Sequence, residues 1–307
     1  KNVAMEIVNN YDIDGLHLDY IRWNEYTNSS MMDNISPEEE TKKMDGIISL
    51  ELLNELENNR SGRYLYDTEH PYSAGVPEGF SSWEEWWRWS VTTFVNTLHD
   101  SIQAVKPFVR LSVAALGKYN WSGWQGYGTV YQDAALWFNE GFIEQLTPMH
   151  YHWTTANQFL GMLTDDCPEC WVDHIEVGIE SGQLFSVGPG SYMLDNYNAW
   201  NNHPSIINTC RTISWVDGYQ FFSSEQWDYY DYWNYAGDSF FNSRVKIRPI
   251  INNDGVVPDQ PGLFLTKIDS LTYSLAVTPS DTTQDNWFAI YRFIDDSISV
   301  SEDEIIH

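Results

Sequence analysis

The sequence is poor in cysteine and in positive charge, and it holds no long apolar run. Three cysteines in 307 residues are too few to build a fold from disulfides, so a packed apolar core must hold the chain together. Cys167 and Cys170 stand in a CPEC loop and Cys210 stands alone. A zinc site would need a second ligand pair at suitable spacing, which the sequence does not offer, so CPEC reads as a small loop disulfide or two inert thiols. Only 16 Lys and Arg stand against 44 Asp and Glu, giving a formal charge of −28 that repels nucleic-acid phosphates and anionic membrane surfaces. No apolar segment reaches the roughly 20 residues of a membrane span, and no basic-then-apolar leader opens the chain. No D-x-[DN]-x-[DN]-G calcium loop occurs either. Nucleic acid, a membrane span, a metal and a cofactor are accordingly not expected.

What is present is a hydrophobic fraction of 42%, enough for one large domain and part of another. Residues 1–10 carry Val3, Ile7 and Val8 near helical spacing, and residues 12–23 then read DIDGLHLDYIRW. The Asp14-Gly15 turn opens a short strand in which Leu16 and Leu18 alternate with His17 and Asp19. Ser81-Ser82, with Glu84 and Glu85 behind them, cap a long helix whose expected apolar face is Trp86, Trp89, Phe94, Leu98, Ile102 and Val105. Phe108–Leu116 follows as a continuous apolar strand, the mark of a sheet covered on both faces. The alternation continues with a helix at 129–140, a strand at 143–153, a helix near 155–164, a strand at 171–180, a helix at about 191–201 and a strand at 216–224. Five strands alternating with helices indicate a parallel α/β sheet.

From about Arg244 the texture changes. Residues 244–257 have the Pro, Gly and Asn-Asp content of a linker. Residues 258–307 hold runs of period two, as in a β-sandwich of which only three or four strands fit. The expected division is therefore a barrel-like part over 1–243, a linker over 244–257 and a partial sandwich over 258–307.

Three blocks, DGLHLDYIRW, AVKPFVRLSVAALG and YQDAALWFNEGFIEQLTPMHYHW, in this order over about residues 1–224, resemble the glycosyl-hydrolase-like family ten, a bacterial group that includes a divisome-localised glycosyl hydrolase. The C-terminal part resembles a fibronectin type III module. The family resemblance implies a (β/α)8 barrel acting on bacterial cell-wall or other extracellular glycans, in an extracellular or periplasmic setting. It also implies that the strand before Asp19 is the fourth, so that only about strands four to eight are present. The remaining N-terminal part of the barrel would then be a partner, as another chain or segment. Such a partial barrel would expose two strand edges and an apolar lumen.

Glycoside hydrolysis usually takes two carboxylates flanking the bond, and barrel chemistry sits at the carboxyl ends of strands. Asp19 fits that position after the first strand, Glu180 after the expected fourth and Glu225 just past the fifth. His17 shares a strand face with Asp19 and is suited to tune it. Arg22, Trp121, Trp124, His150, Tyr151, Trp153 and Trp227 are the expected substrate contacts, on the reasoning that aromatic faces beside a few polar groups bind sugars. The resemblance implies Gln where this chain has His150. Two functions remain open at this stage. One is a glycoside hydrolase, and the other is a non-catalytic carbohydrate-binding or adhesive protein on the same scaffold, a choice that the fold does not make.

Overall fold

Five parallel strands, laid side by side in sequence order, form the centre of the protein. The computed structural model describes residues 1–23, 75–121, 123–165, 168–242, 260–270 and 272–279. Helix α1 (Asn2–Asn10) leads through the Asp14-Gly15 turn into β1 (Gly15–Leu18), and α2 (Trp83–Val105) precedes β2 (Arg110–Leu116). Two short helices, α3 (Gly126–Thr129) and α4 (Ala134–Asn139), precede β3 (Gln145–His150). Helices α5 (Ala156–Thr164) and α6 (Val172–Glu180) precede β4 (Leu184–Pro189). After β4 come α7 (Ser191–Asn196), a single 3-10 turn (Trp200–Asn202), α8 (His203–Cys210) and the short β5 (Gly218–Tyr219), followed by α9 (Ser224–Tyr229) and α10 (Tyr232–Ser239).

The sheet order is β1-β2-β3-β4-β5. His17 lies beside Ser112, Ser112 beside Gln145, Gln145 beside Leu184, and Ser186 beside Gly218. Among the described residues no further strand pairs with the outer edge of β1 or of β5. A doubly wound sheet reverses its strand order, whereas this order never reverses, as in an arc of a (β/α) barrel.

The core lies on one face of the arc. Leu111, Val113, Ala115, Leu146, Phe185 and Val187 point to it. There they meet Val95, Leu98 and Ile102 of α2, Trp137 and Phe138 of α4, Phe159 of α5, Ile175 of α6, and Ile206 and Cys210 of α8. The intervening positions turn to the other face. They are mixed where an apolar lumen was expected, with Arg110, Ser112, Gln145, Thr147 and Ser186 beside Ala114, Leu116, Met149 and Leu184. His17 Nδ1 lies 2.9 Å from Ser112 Oγ, Gln145 Nε2 donates to Ser186 Oγ at 2.7 Å, and Arg110 donates to Gln145 Oε1 at 3.3 Å.

Two elements differ from the reading of the sequence. Residues 171–180 are helical, with Ile175 and Gly178 on the buried side, and the fourth strand is Leu184–Pro189. In α2 the Ser82 cap forms, its side chain accepting from Glu85 N at 3.1 Å, but the buried stripe is Trp83, Trp87, Val91, Val95, Leu98 and Ile102. Trp89 is half-exposed. The helix carries two apolar stripes, and the choice falls to the one whose Trp87 packs at a tilt on buried Tyr131, centroids 4.9 Å apart.

Beyond the arc, β6 (Gly262–Lys267) and β7 (Tyr273–Thr278) pair antiparallel as a hairpin whose side chains are almost all exposed. The expected linker over 244–257 and residues 280–307 of the expected partial sandwich lie outside the described residues.

Candidate functional site

The chain leaves β1 at the carboxyl end of the sheet through a short pinned loop. Leu16, Leu18 and Ile21 pack against the core, so His17 and Asp19 share the opposite face. Asp19 Oδ1 accepts from Tyr20 N at 2.8 Å. Tyr20 itself holds the left-handed conformation with φ 53°, strained for a bulky residue. Arg22 N then donates to Tyr20 O and Trp23 N to Val130 O, both at 2.9 Å. Buried Gln132 ties this loop to the end of β2, since its Nε2 donates to Ile21 O at 3.1 Å and its Oε1 accepts from Leu116 N at 2.7 Å. No side chain fits at Gly117, where it would run into the Met149 carbonyl, so the ends of β2 and β3 approach closely.

Around Asp19 stand side chains from the carboxyl ends of other strands. Tyr151 follows β3, Tyr192 lies in α7 after β4, and Phe222 follows β5. Tyr151 and Phe222 stack with centroids 5.6 Å apart at 24°, and Tyr192 meets each edge-on at 5.5 and 5.8 Å. Burial raises the Tyr151 phenol well above its ordinary range, with Tyr192 and then Asp19 adding to the effect, so it stays a neutral donor. The His17 imidazole is exposed at its rim, yet the sheet packed on one side lowers its pKa against the opposing pull of Asp19. The Asp19 charge thus acts on both His17 and Tyr151. On the far side of the loop, the Arg22 guanidinium carbon sits 4.7 Å from the Tyr20 ring centroid and 5.3 Å from that of Trp124, which is half-exposed.

Not every expected site residue comes to this rim. Glu180 ends α6 and precedes β4, so it stands at the opposite rim from Asp19. Glu225 is exposed in the first turn of α9, on the same side as Asp19. Trp121 is buried, edge-on to Trp171 at 6.0 Å and stacked on His174. Trp227 is buried in a second apolar cluster with Ile207, Tyr232, Ala236 and Phe240, while Tyr229, Tyr230, Trp233 and Tyr235 of the same 225–235 segment stay exposed. Trp153 packs half-buried on the core. His150 ends β3 but turns to the helix side, fully buried, where it meets Trp153, Phe159, Trp171 and Phe185. Its Nδ1 accepts from Gly188 N at 3.2 Å, and burial pushes its pKa down to about 3. These are core residues, and burial withdraws Trp121, His150 and Trp227 from substrate contact.

Sequence reasoning missed Tyr20, Gln132, Tyr192 and Phe222. Three of these follow a strand by a few residues, and that position is the signal by which they could have been found. The structure also brings together Ser191 Oγ and His203 Nε2 at 3.0 Å, with His203 Nδ1 2.7 Å from Trp200 O. Ser191 is fully buried and accepts from Trp227 Nε1 at 2.8 Å, so the pair joins helices and offers no nucleophile. Cys170 is disulfide-bonded, whereas Cys210 is a buried free thiol pushed up to about 12. Among the described residues no group of three or more His, Cys, Asp or Glu is placed to hold a metal.

A family model described as Glycosyl hydrolase-like 10 matches residues 1–184. The chain belongs to this family. The match takes in β1 to β3 and reaches the first residue of β4, a shorter span than the resemblance over 1–224 suggested. Within the glycosyl hydrolase-like 10 segment lie Asp19, Arg22, Trp124 and Tyr151, while Tyr192, Phe222 and Glu225 lie outside it. No curated protein matches the chain. No helix among the described residues is long and apolar enough to cross a membrane.

Proposed function

We propose that this chain acts on glycans at the carboxyl rim of its sheet, as the carboxylate-bearing part of a glycoside hydrolase. The observation that carries the reading is Asp19. It lies one residue past β1, on the sheet face away from the helices, among Tyr20, Tyr151, Tyr192 and Phe222. Such a setting suits a carboxylate working on a sugar whose apolar face rests on aromatic rings. Glu225 is the second carboxylate of this reading, since Glu180 belongs to the other rim. Among the described residues nothing pairs with the outer edges of β1 and β5, and these edges support further barrel strands completing the cleft. The disulfide at Cys170 supports an extracellular or periplasmic setting, and a polysaccharide is the partner.

The displacement of Glu180 favours one second reading, a carbohydrate-binding protein that has lost its catalytic pair. The two part on one experiment. Intact protein is incubated with peptidoglycan and with plant and algal polysaccharides, and released reducing ends are counted. Release that drops by roughly 100-fold or more in Asp19→Asn supports hydrolysis, in line with general acid–base contributions. Retention of a glycan without release supports the binding reading, and neither release nor retention overturns both.

A further inference from the structure

Four arginines lie among the described residues, and three of them make side-chain hydrogen bonds to the protein, although Arg110 Nε is buried without a partner. Arg88 donates to Tyr127 O, Arg110 to Gln145 Oε1, and Arg211 to Asn208 Oδ1 and Phe240 O. Arg22 differs in making no side-chain hydrogen bond among the described residues: its Nη1 is shut off from solvent without a partner, and its guanidinium lies against the rings of Tyr20 and Trp124. A desolvated donor without a partner is costly. An unpaired guanidinium is also out of place in a chain with 44 acidic and 16 basic residues, where a carboxylate partner is abundant. The loop nevertheless fixes it. Arg22 N is bonded to Tyr20 O, Ile21 O takes the Gln132 amide, and Trp23 N is bonded to Val130 O, so the backbone is anchored on both sides of the residue.

We propose that Arg22 is the recognition group for an acidic sugar, meeting a carboxylate or sulfate ester on the glycan that Asp19 acts upon. The inference rests on the glycan reading above and adds the charge class of the substrate. A guanidinium presents a planar fork that matches oxyanions in pairs of hydrogen bonds. Aromatic rings at 4.7 and 5.3 Å hold that plane in place and leave its donors unspent, at little entropy cost when the ligand arrives. The net charge of −28 does not forbid this. Distant carboxylates are screened beyond about 8 Å at physiological ionic strength, while Arg22 acts at contact. A local cation is what an anionic sugar needs to approach such a surface.

The test is direct binding to the intact chain by calorimetry, with three probes: an oligogalacturonate, a sulfated carrageenan oligosaccharide and neutral cellohexaose. One acidic probe binds roughly 10-fold or more tightly than cellohexaose, and Arg22→Gln removes that preference, as expected for a charge-assisted pair. Arg22→Lys, which keeps the charge and the fold but not the fork, retains part of it. The stronger of the two acidic probes assigns carboxylate or sulfate. Equal binding of cellohexaose, or an acidic preference that survives Arg22→Gln and Arg22→Lys, overturns the inference and leaves the glycan reading standing. Absence of binding to all three probes counts against both.

Discussion

The two ends of the parallel sheet use the same kinds of side chain in opposite ways. At the amino end, buried Glu144 accepts from Leu111 N at 2.6 Å, Gln103 Nε2 at 2.9 Å and His99 Nε2 at 3.1 Å. Asp217 accepts from Phe185 N at 2.9 Å. These carboxylates close gaps between strands and helices. At the carboxyl end, Asp19 takes the amide of its own neighbour, Arg22 Nη1 has no partner among the described residues, and Tyr20 holds a strained conformation. The difference teaches where the protein is committed to stability and where its polar groups stay available, a division common to barrel folds.

The comparison can be broken or sharpened by substitution. The largest effect on folding is expected within one loop of the carboxyl end. Trp121→Ala removes a buried indole and costs about 3–5 kcal/mol, read from the denaturation midpoint. A loss under about 1 kcal/mol would show that Trp121 stands free at the rim after all. At the amino end Glu144→Ala leaves three donors without their acceptor and costs about 3 kcal/mol. Its glycan binding, measured where the variant remains folded, stays at the parental value.

Acidification should act on the histidines in two directions. Burial lowers His150 to about 3 and His203 to about 4 from an ordinary 6.5. Below 6.5 the unfolded chain binds protons that the folded chain refuses, so the stability these groups confer is complete above 6.5. It falls as pH drops toward those folded values, by up to about 1.4 kcal/mol per pH unit for each. His99 runs the other way. Its hydrogen bond to Glu144 raises it, so its contribution is complete below 6.5 and is lost as pH rises through the folded value. His99→Gln should flatten that alkaline limb in urea titrations and leave the acid limb unchanged. The smallest effect belongs to Trp124→Ala, with stability within about 0.5 kcal/mol of the parent. Glycan affinity then drops a few-fold, and unchanged affinity would remove Trp124 from the rim's function.

Much of this was legible in the sequence, for local reasons. The Asp14-Gly15 turn, the alternation through His17 and Asp19, and the apolar run before Gly117 each declare themselves within a few residues. The fourth strand did not. Residues 171–180 are rich in Val and Ile and read as extended, yet their buried positions fall at helical spacing, while Leu184–Pro189 is short and carries Gly and Pro. That substitution of one element for the next carried Glu180 to the wrong rim. Trp121 and Trp227 were misread for another reason: exposure is decided by tertiary packing, and an indole in a Gly-rich loop or an aromatic run looks the same whether it faces sugar or core. The meeting of Tyr151 with Phe222 leaves no local trace at all, because it depends on how the ends of β3 and β5 are brought together.

The most direct test compares two carboxylates that sequence alone ranks as partners. Reducing-end release from an accepted glycan is measured for the parent, Asp19→Asn and Glu180→Gln, each checked for native stability. The account predicts that Asp19→Asn loses roughly 100-fold or more while Glu180→Gln matches the parent. Loss of release in Glu180→Gln, or full release in Asp19→Asn, would contradict the assignment of function to the carboxyl rim.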